Sequence, residues 1–67
     1  RYIGRTVTVA EAIINGLGKV RIEDTLWRVR GDDAVIGQQV KIVAIEGATF
    51  EVESIASEPG ESAQSSV

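Results

Sequence analysis

The sequence predicts an all-β fold, a small closed barrel of five antiparallel strands. Val, Ile and Thr recur with a period of two residues along most of the chain, and glycines separate the runs. No segment has the periodicity of a helix long enough to cover one face of a sheet. Five short strands would otherwise leave an apolar face and two edges in water, so they are expected to close into a barrel.

Each strand is assigned from its own alternation and from the turn residues that bound it. Val7 and Val9 share one face of the first strand, while Thr6 and Thr8 share the other. The end of this strand, AEAII, also fits the start of a helical turn. The predicted elements are a strand at 3–14, a turn at 15–18, strands at 19–23 and 26–30, a loop at 31–39, and strands at 40–45 and 49–55 joined by a tight hairpin at 46–48.

The inward-facing residues of these strands form the predicted core. Trp27 is the largest, and Trp27→Ala is expected to unfold the domain, because truncating a buried aromatic costs about 3–5 kcal/mol. The predicted core comprises Val7, Val9, Val20, Ile22, Trp27, Val29, Val40, Ile42, Phe50 and Val52.

The C-terminal residues differ in composition from the rest of the chain. Residues 56–67 hold the only Pro, four Ser and two Glu, without apolar periodicity. Such a segment cannot bury enough apolar surface to fold, so it is predicted to be disordered. The expected organisation is one barrel domain at 1–55 followed by a disordered tail at 56–67.

Composition excludes most catalytic chemistry. The 67 residues include no Cys and no His and carry a formal charge of −3, which removes thiol nucleophiles, imidazole bases and the usual zinc sites. The acidic pairs at 23–24 and 32–33 have no third ligand at a defined spacing and suit turns instead. The GLGK run at 16–19 lacks the spacing of a phosphate loop. We therefore expect no enzymatic activity, no catalytic residue, no metal and no cofactor.

The outward positions of the second and third strands are basic. If the two-residue hairpin loop between these strands lay at 24–25, Arg21 would face Arg28 and Lys19 would face Arg30. A slip of two residues would change the pairs but keep all four side chains on one face. These four residues, called the strand cations below, are Lys19, Arg21, Arg28 and Arg30.

Such a basic face has more than one interpretation. Like charges opposite one another destabilise a ladder, so an anion, an acidic partner surface or Glu11 is expected to offset them. OB-fold barrels hold single-stranded nucleic acid at this place, whereas the simpler alternatives are a solvated face or a protein contact. Only Tyr2, Trp27 and Phe50 could stack on bases, and the last two face inward. The acidic pI of about 4.7 also disfavours nucleic acid.

The order of several short motifs resembles the C-terminal soluble domain of NfeD-like proteins, over residues 2–53. Val29 and Phe50 depart from the residues usual in that family, a small residue and Leu, and both substitutions suit a core. The motifs are IGRTV at 3–7, GLGKVRI at 16–22, Trp27, IG at 36–37, VKIV at 40–43 and EGATFEV at 46–52.

The resemblance implies a five-stranded OB-fold and a parent protein with transmembrane helices before Arg1. It also implies a non-catalytic interaction domain that docks onto a stomatin- or flotillin-like membrane protein in membrane organisation or the regulation of membrane proteolysis. Separately, the domain is expected on the cytoplasmic side, although the sequence does not fix the side of the membrane. Self-association of the full-length protein and binding of single-stranded nucleic acid stay open as alternatives. The predicted contact set is Arg5 together with the strand cations Lys19, Arg21, Arg28 and Arg30.

Overall fold

A computed structural model describes residues 2–55, so the predicted tail lies outside the described residues. Five strands form one closed barrel in the order β1-β2-β3-β5-β4, which confirms the all-β prediction. Within residues 2–55 there is no helix long and apolar enough to cross a bilayer. The strands are β1 (Thr6–Ile14), β2 (Leu17–Ile22), β3 (Thr25–Arg30), β4 (Gln39–Glu46) and β5 (Thr49–Ser54).

One strand pair departs from the antiparallel prediction. β3 and β5 are parallel, with Val29 opposite Phe50 and Arg30 opposite Glu51. Strand directions can alternate around a closed ring only when the number of strands is even, so a ring of five must contain a parallel pair. The residues between β3 and β4 cross the barrel, which brings β4 beside β1 and returns β5 to β3.

The first hairpin is tighter than the sequence predicted. Asn15 and Gly16 alone form its loop, with φ of 56° and 89°, and Ile14 pairs directly with Leu17. Positive φ at both loop residues is the geometry that an Asn-Gly pair favours. β2 therefore begins at Leu17 rather than at Lys19. The helical alternative for residues 10–14 is wrong, because they continue β1.

Irregular pairing brings β1 and β2 into close contact. The register shifts on both sides of Glu11, so β1 has more residues than β2 along this stretch, as at a β-bulge. A Cβ atom placed on Gly18 would lie 2.7 Å from the Cα atom of Ile13 and 2.8 Å from the carbonyl oxygen of Ala12. This position therefore requires glycine because of the close approach of the neighbouring backbone.

The second hairpin loop lies one residue earlier than the one considered from sequence. Glu23 and Asp24 form it, and Ile22 pairs with Thr25. Glu23 adopts a φ of 58°, a left-handed conformation that is uncommon for Glu. Because the loop lies at 23–24 and not at 24–25, each residue of β2 pairs with a β3 residue two positions earlier than in the register considered first. Lys19 thus faces Arg28, Arg21 faces Leu26, and Arg30 faces Leu17.

The barrel interior is apolar and close to the predicted core. Trp27 is only partly buried; its ring stacks on Phe50 with centroids 4.9 Å apart, and Tyr2 packs against both. The sequence missed Ile13, which is 1% exposed, and Ala34, which pairs with it across an isolated bridge. The nine other predicted core residues are buried: Val7, Val9, Val20, Ile22, Val29, Val40, Ile42, Phe50 and Val52.

The segment between β3 and β4 covers the free edge of β1. Ala34 exchanges two backbone hydrogen bonds with Ile13, of 2.9 and 3.1 Å. Further along, the Val9 N–H donates to the Gln38 carbonyl and the Gly37 N–H donates to the Val9 carbonyl. The segment therefore satisfies an edge that β4 does not reach, and these bonds hold its backbone beside β1.

Candidate interaction surface

The strand cations lie on the outer surface of β2 and β3, as the alternation predicted. Val20, Ile22 and Val29 take the inward positions, so the residues between them must point outward. Lys19 and Arg28 face each other directly across the two strands. The centre of this face is therefore a pair of like charges.

Two of the four strand cations have a carboxylate partner. The Lys19 Nζ atom lies 3.9 Å from Glu11 Oε2, one of the three alternatives considered from sequence, and Arg30 Nη1 lies 3.7 Å from Glu46 Oε1. All four side chains of these pairs are well exposed, so each pair contributes little free energy. Within residues 2–55, neither Arg21 nor Arg28 has a carboxylate within salt-bridge distance. Arg28 is therefore the central cation left available to another molecule.

A shallow groove of about 430 Å³ runs beside the Lys19–Arg28 pair. Ala12 and Gly18 have little side-chain volume and leave the groove open, while the other lining residues have longer side chains. Arg21 lies apart from this groove and lines another one with Ile36. The lining residues of the first groove are Glu11, Ala12, Leu17, Gly18, Lys19, Arg28, Arg30 and Thr49.

Arg5 is separate from the strand cations in the structure. It precedes β1, and its carbonyl accepts a hydrogen bond from the Ile42 N–H on the β4 side of that strand. Its guanidinium carbon lies 5.4 Å from the centroid of the Tyr2 ring, a cation–π distance. The predicted contact set thus divides into four residues on one face and Arg5 near the aromatic cluster.

The chain's three aromatic residues are grouped at the same place in the barrel. The rings of Tyr2 and Phe50 are 5.3 Å apart, and Tyr2 lies 5.8 Å from Trp27. Since the chain has one Tyr, one Trp and one Phe, no aromatic ring remains among the strand cations. The face thus lacks the stacking platforms that single-strand binders use, which disfavours nucleic acid as its ligand.

The acidic pairs at 23–24 and 32–33 lie in the connections between strands. Glu23 and Asp24 form the second hairpin loop, and the Asp33 side chain accepts a hydrogen bond of 3.2 Å from the Asn15 N–H. That bond ties the segment before β4 to the first hairpin. In the described part of the chain, no three acidic residues are grouped closely enough to hold a metal ion.

Sequence reasoning missed an exposed apolar surface next to the strand cations. Ile14 is 62% exposed, Leu17 is 55% exposed and Val35 is 67% exposed. Ile14 and Leu17 are the pair that closes the first hairpin, and Ile14 and Val35 line one groove together with Ala12. These three large residues are called the apolar strip below. Apolar residues flanking the Asn-Gly loop were the only signal for it in the sequence.

The comparison with known families confirms the resemblance inferred from the motifs. The sequence model of the NfeD-like C-terminal, partner-binding domain matches residues 1–53. A curated relative, the inner membrane protein YbbJ of Escherichia coli (strain K12), is 34% identical over 58 residues, which is 85% of this chain. The chain spans 38% of the length of that relative.

Two solved structures share the fold. One is the C-terminal domain of stomatin operon partner protein 1510-C from Pyrococcus horikoshii, with a TM-score of 0.69 and 29% identity, covering 78% of this chain and 84% of that one. The other is the soluble domain of a membrane protein implicated in regulation of membrane protease activity from Corynebacterium glutamicum. It has a TM-score of 0.73 and 25% identity, covering 82% of this chain and 94% of that one.

Proposed function

Since the chain belongs to the family of NfeD-like C-terminal, partner-binding domains, we propose that it is a non-catalytic module that docks onto a stomatin-like membrane protein. The observation that carries this proposal is the family match. Its likeness to the domain of a stomatin operon partner protein supports the choice of partner. Its role would be membrane organisation or the regulation of membrane proteolysis, since the second structural neighbour comes from a membrane protein implicated in regulating membrane protease activity.

The proposal includes attachment to a membrane through another part of the parent protein. Support comes from the relative that is named an inner membrane protein and that is much longer than this chain. We further propose that the domain faces the cytoplasm. A topology reporter fused to the C-terminus of the full-length protein tests this placement, and a reporter active only outside the cytoplasm would overturn it.

The proposed contact is the face of the strand cations. Lys19 and Arg28 are held opposite each other although like charges repel, and Glu11 reaches only the first of them. An acidic surface on the partner would remove this repulsion and make charge-assisted hydrogen bonds to Arg28. Lys41 on β4 lies outside this face, opposite Thr6 and Glu53, and serves as a matched control.

The test is a binding measurement between the chain and the stomatin-like protein of the same genome, held in detergent micelles. Arg28→Glu is expected to weaken binding by about tenfold or more, since a charge facing the partner becomes repulsive. Lys41→Glu makes the same change in net charge on β4 and is expected to stay within about twofold. Absence of binding by the unaltered chain would refute the proposed function, while equal effects of the two variants would refute only the proposed face.

A further inference from the structure

We propose that the groove beside Lys19 and Arg28 and the apolar strip form one binding site for a short amphipathic segment of a partner protein. The segment would place carboxylates against Arg28 and large apolar side chains against Ile14, Leu17 and Val35. This inference rests on the proposed function, because it specifies the chemistry of the partner at the same surface.

The two parts of the site are continuous. Ala12 lines both the groove of the strand cations and the groove that contains Ile14 and Val35. Leu17 and Lys19 both lie on β2, which separates β1 from β3. Neighbouring strands lie about 4.8 Å apart, so roughly 10 Å separate β1, which carries Ile14, from β3, which carries Arg28. That distance is close to the width of one peptide segment with its side chains.

The apolar side of the site is held in place before any partner binds. Ile13 and Ala34 exchange backbone hydrogen bonds, and Asp33 accepts one from the Asn15 N–H. These bonds fix the segment that carries Val35 against the hairpin that carries Ile14. Three adjoining large apolar side chains, each more than half exposed, form a preorganised patch of the kind that protein contacts cover.

The cationic side selects a carboxylate. Arg28 has no acidic partner within the described residues, and its direct neighbour across the ladder is Lys19. A carboxylate bound there would lie beside two cations at once, and an Arg can bind it through two parallel hydrogen bonds. An occupant that covered Arg28 with apolar groups alone would leave this cation desolvated and unpaired, so a segment that supplies both chemistries fits the site better.

Carboxylates of this chain at the same surface disfavour a flat anionic membrane as the occupant. Glu11 and Glu46 lie beside two of the strand cations, and Asp33 lines the groove with Val35. An anionic bilayer would meet these negative charges together with the positive ones. A peptide segment can instead direct its carboxylates to Arg28 alone.

The β5 strand of a second copy of the chain is a poor fit for a different reason. The acidic side chains of β5, Glu51 and Glu53, alternate with Phe50 and Val52, which are buried in the core. β5 of a second copy therefore presents these carboxylates without the large side chains of Phe50 and Val52. A partner segment that is not part of such a barrel has no such restriction.

The experiment measures fluorescence anisotropy of overlapping synthetic peptides that cover the sequence of the stomatin-like protein. Binding is expected only for peptides that combine acidic and large apolar residues. Ile14→Ser and Val35→Ser are each expected to weaken it by about tenfold. Ile3→Ser is the control, since Ile3 is 58% exposed, similar to Ile14, and belongs to neither groove. Thermal melts of each variant show whether it is folded. Val35 itself lies outside every strand.

Each outcome decides between the two proposals. If the intact stomatin-like protein binds but no peptide does, or if Val35→Ser binds as well as Ile3→Ser, this inference fails while the proposed function stands. If the intact protein does not bind, both fail. Flotation of the chain with phosphatidylglycerol vesicles would show that a membrane occupies the site instead of a partner segment. Dimers that Val35→Ser abolishes would show that a second copy of the chain occupies it.

Discussion

Gly18→Ala is expected to destabilise the barrel although it adds only one methyl group. The new Cβ atom would lie 2.7 Å from both Cα and Cγ1 of Ile13 and 2.8 Å from the Ala12 carbonyl oxygen. Favourable contacts between carbon atoms lie near 3.5–4.0 Å, so β1 and β2 would have to separate by roughly 1 Å. Two of the three atoms belong to the backbone, which cannot turn away as a side chain can.

The size of the effect follows from two opposing terms. Overpacking costs about 1–3 kcal/mol, and the backbone contacts place this substitution near the upper end. Replacing glycine also lowers the entropy of the unfolded chain, which returns about 0.4–1 kcal/mol. The net loss is about 2 kcal/mol, and in a domain of this size it lowers Tm by roughly 8–16 °C.

Thermal melts followed by far-ultraviolet circular dichroism measure this loss, with Gly16 as the matched position. Gly16 has a φ of 89° and open space around it, so its replacement strains only the backbone, and Asn relieves much of that strain. Gly16→Asn is therefore expected to be milder than Gly16→Ala, whereas Gly18→Asn is at least as harmful as Gly18→Ala. A Gly18→Ala melt that coincides with that of the unaltered chain would refute the close approach of β1 and β2.

Two further substitutions test the fold. Trp27→Ala removes a partly buried ring stacked on Phe50 and is expected to cost about 3 kcal/mol of a total near 3–8 kcal/mol; urea unfolding measures it, and an unchanged midpoint would show that the stack contributes nothing. Glu23→Gly places glycine at a φ of 58° in a two-residue loop and is expected to raise the free energy of unfolding by about 0.5–1 kcal/mol. A lower Tm for Glu23→Gly would contradict the left-handed geometry at that loop.

Alternation along the chain was sufficient to predict the barrel and nine of its core positions. The alternation of apolar and polar residues with a period of two is a local property of the chain, so it can be recognised in the sequence alone. The parallel β3–β5 pair was missed because it is a property of the closed ring, set by the number of strands rather than by any residue. The register of β2 and β3 was missed because Glu23 adopts a conformation that its residue type does not signal.

The candidate interaction surface was predictable only in part, for a similar reason. Lys19 and Arg28 fall on outward positions that alternation predicts, but their direct pairing depends on the loop. The apolar strip joins Ile14 on β1 to Val35 in the segment before β4, and only tertiary hydrogen bonds bring them together. Ala34 was overlooked for the same reason, since nothing near it in the sequence indicates burial.

The loops of the barrel imply an order of assembly. Two-residue loops join β1 to β2, β2 to β3 and β4 to β5, so each of these pairs can form locally within microseconds. The chain thus comprises a three-stranded meander and a separate hairpin. Within residues 2–55 they meet along two strand pairings, called seams below: three registered pairs between β1 and β4 and two between β3 and β5. Docking along these seams requires closure of the longer loop and is expected to be the slow step. In the folded protein the same seams are where transient opening begins, and their amides should exchange with solvent before those inside the meander.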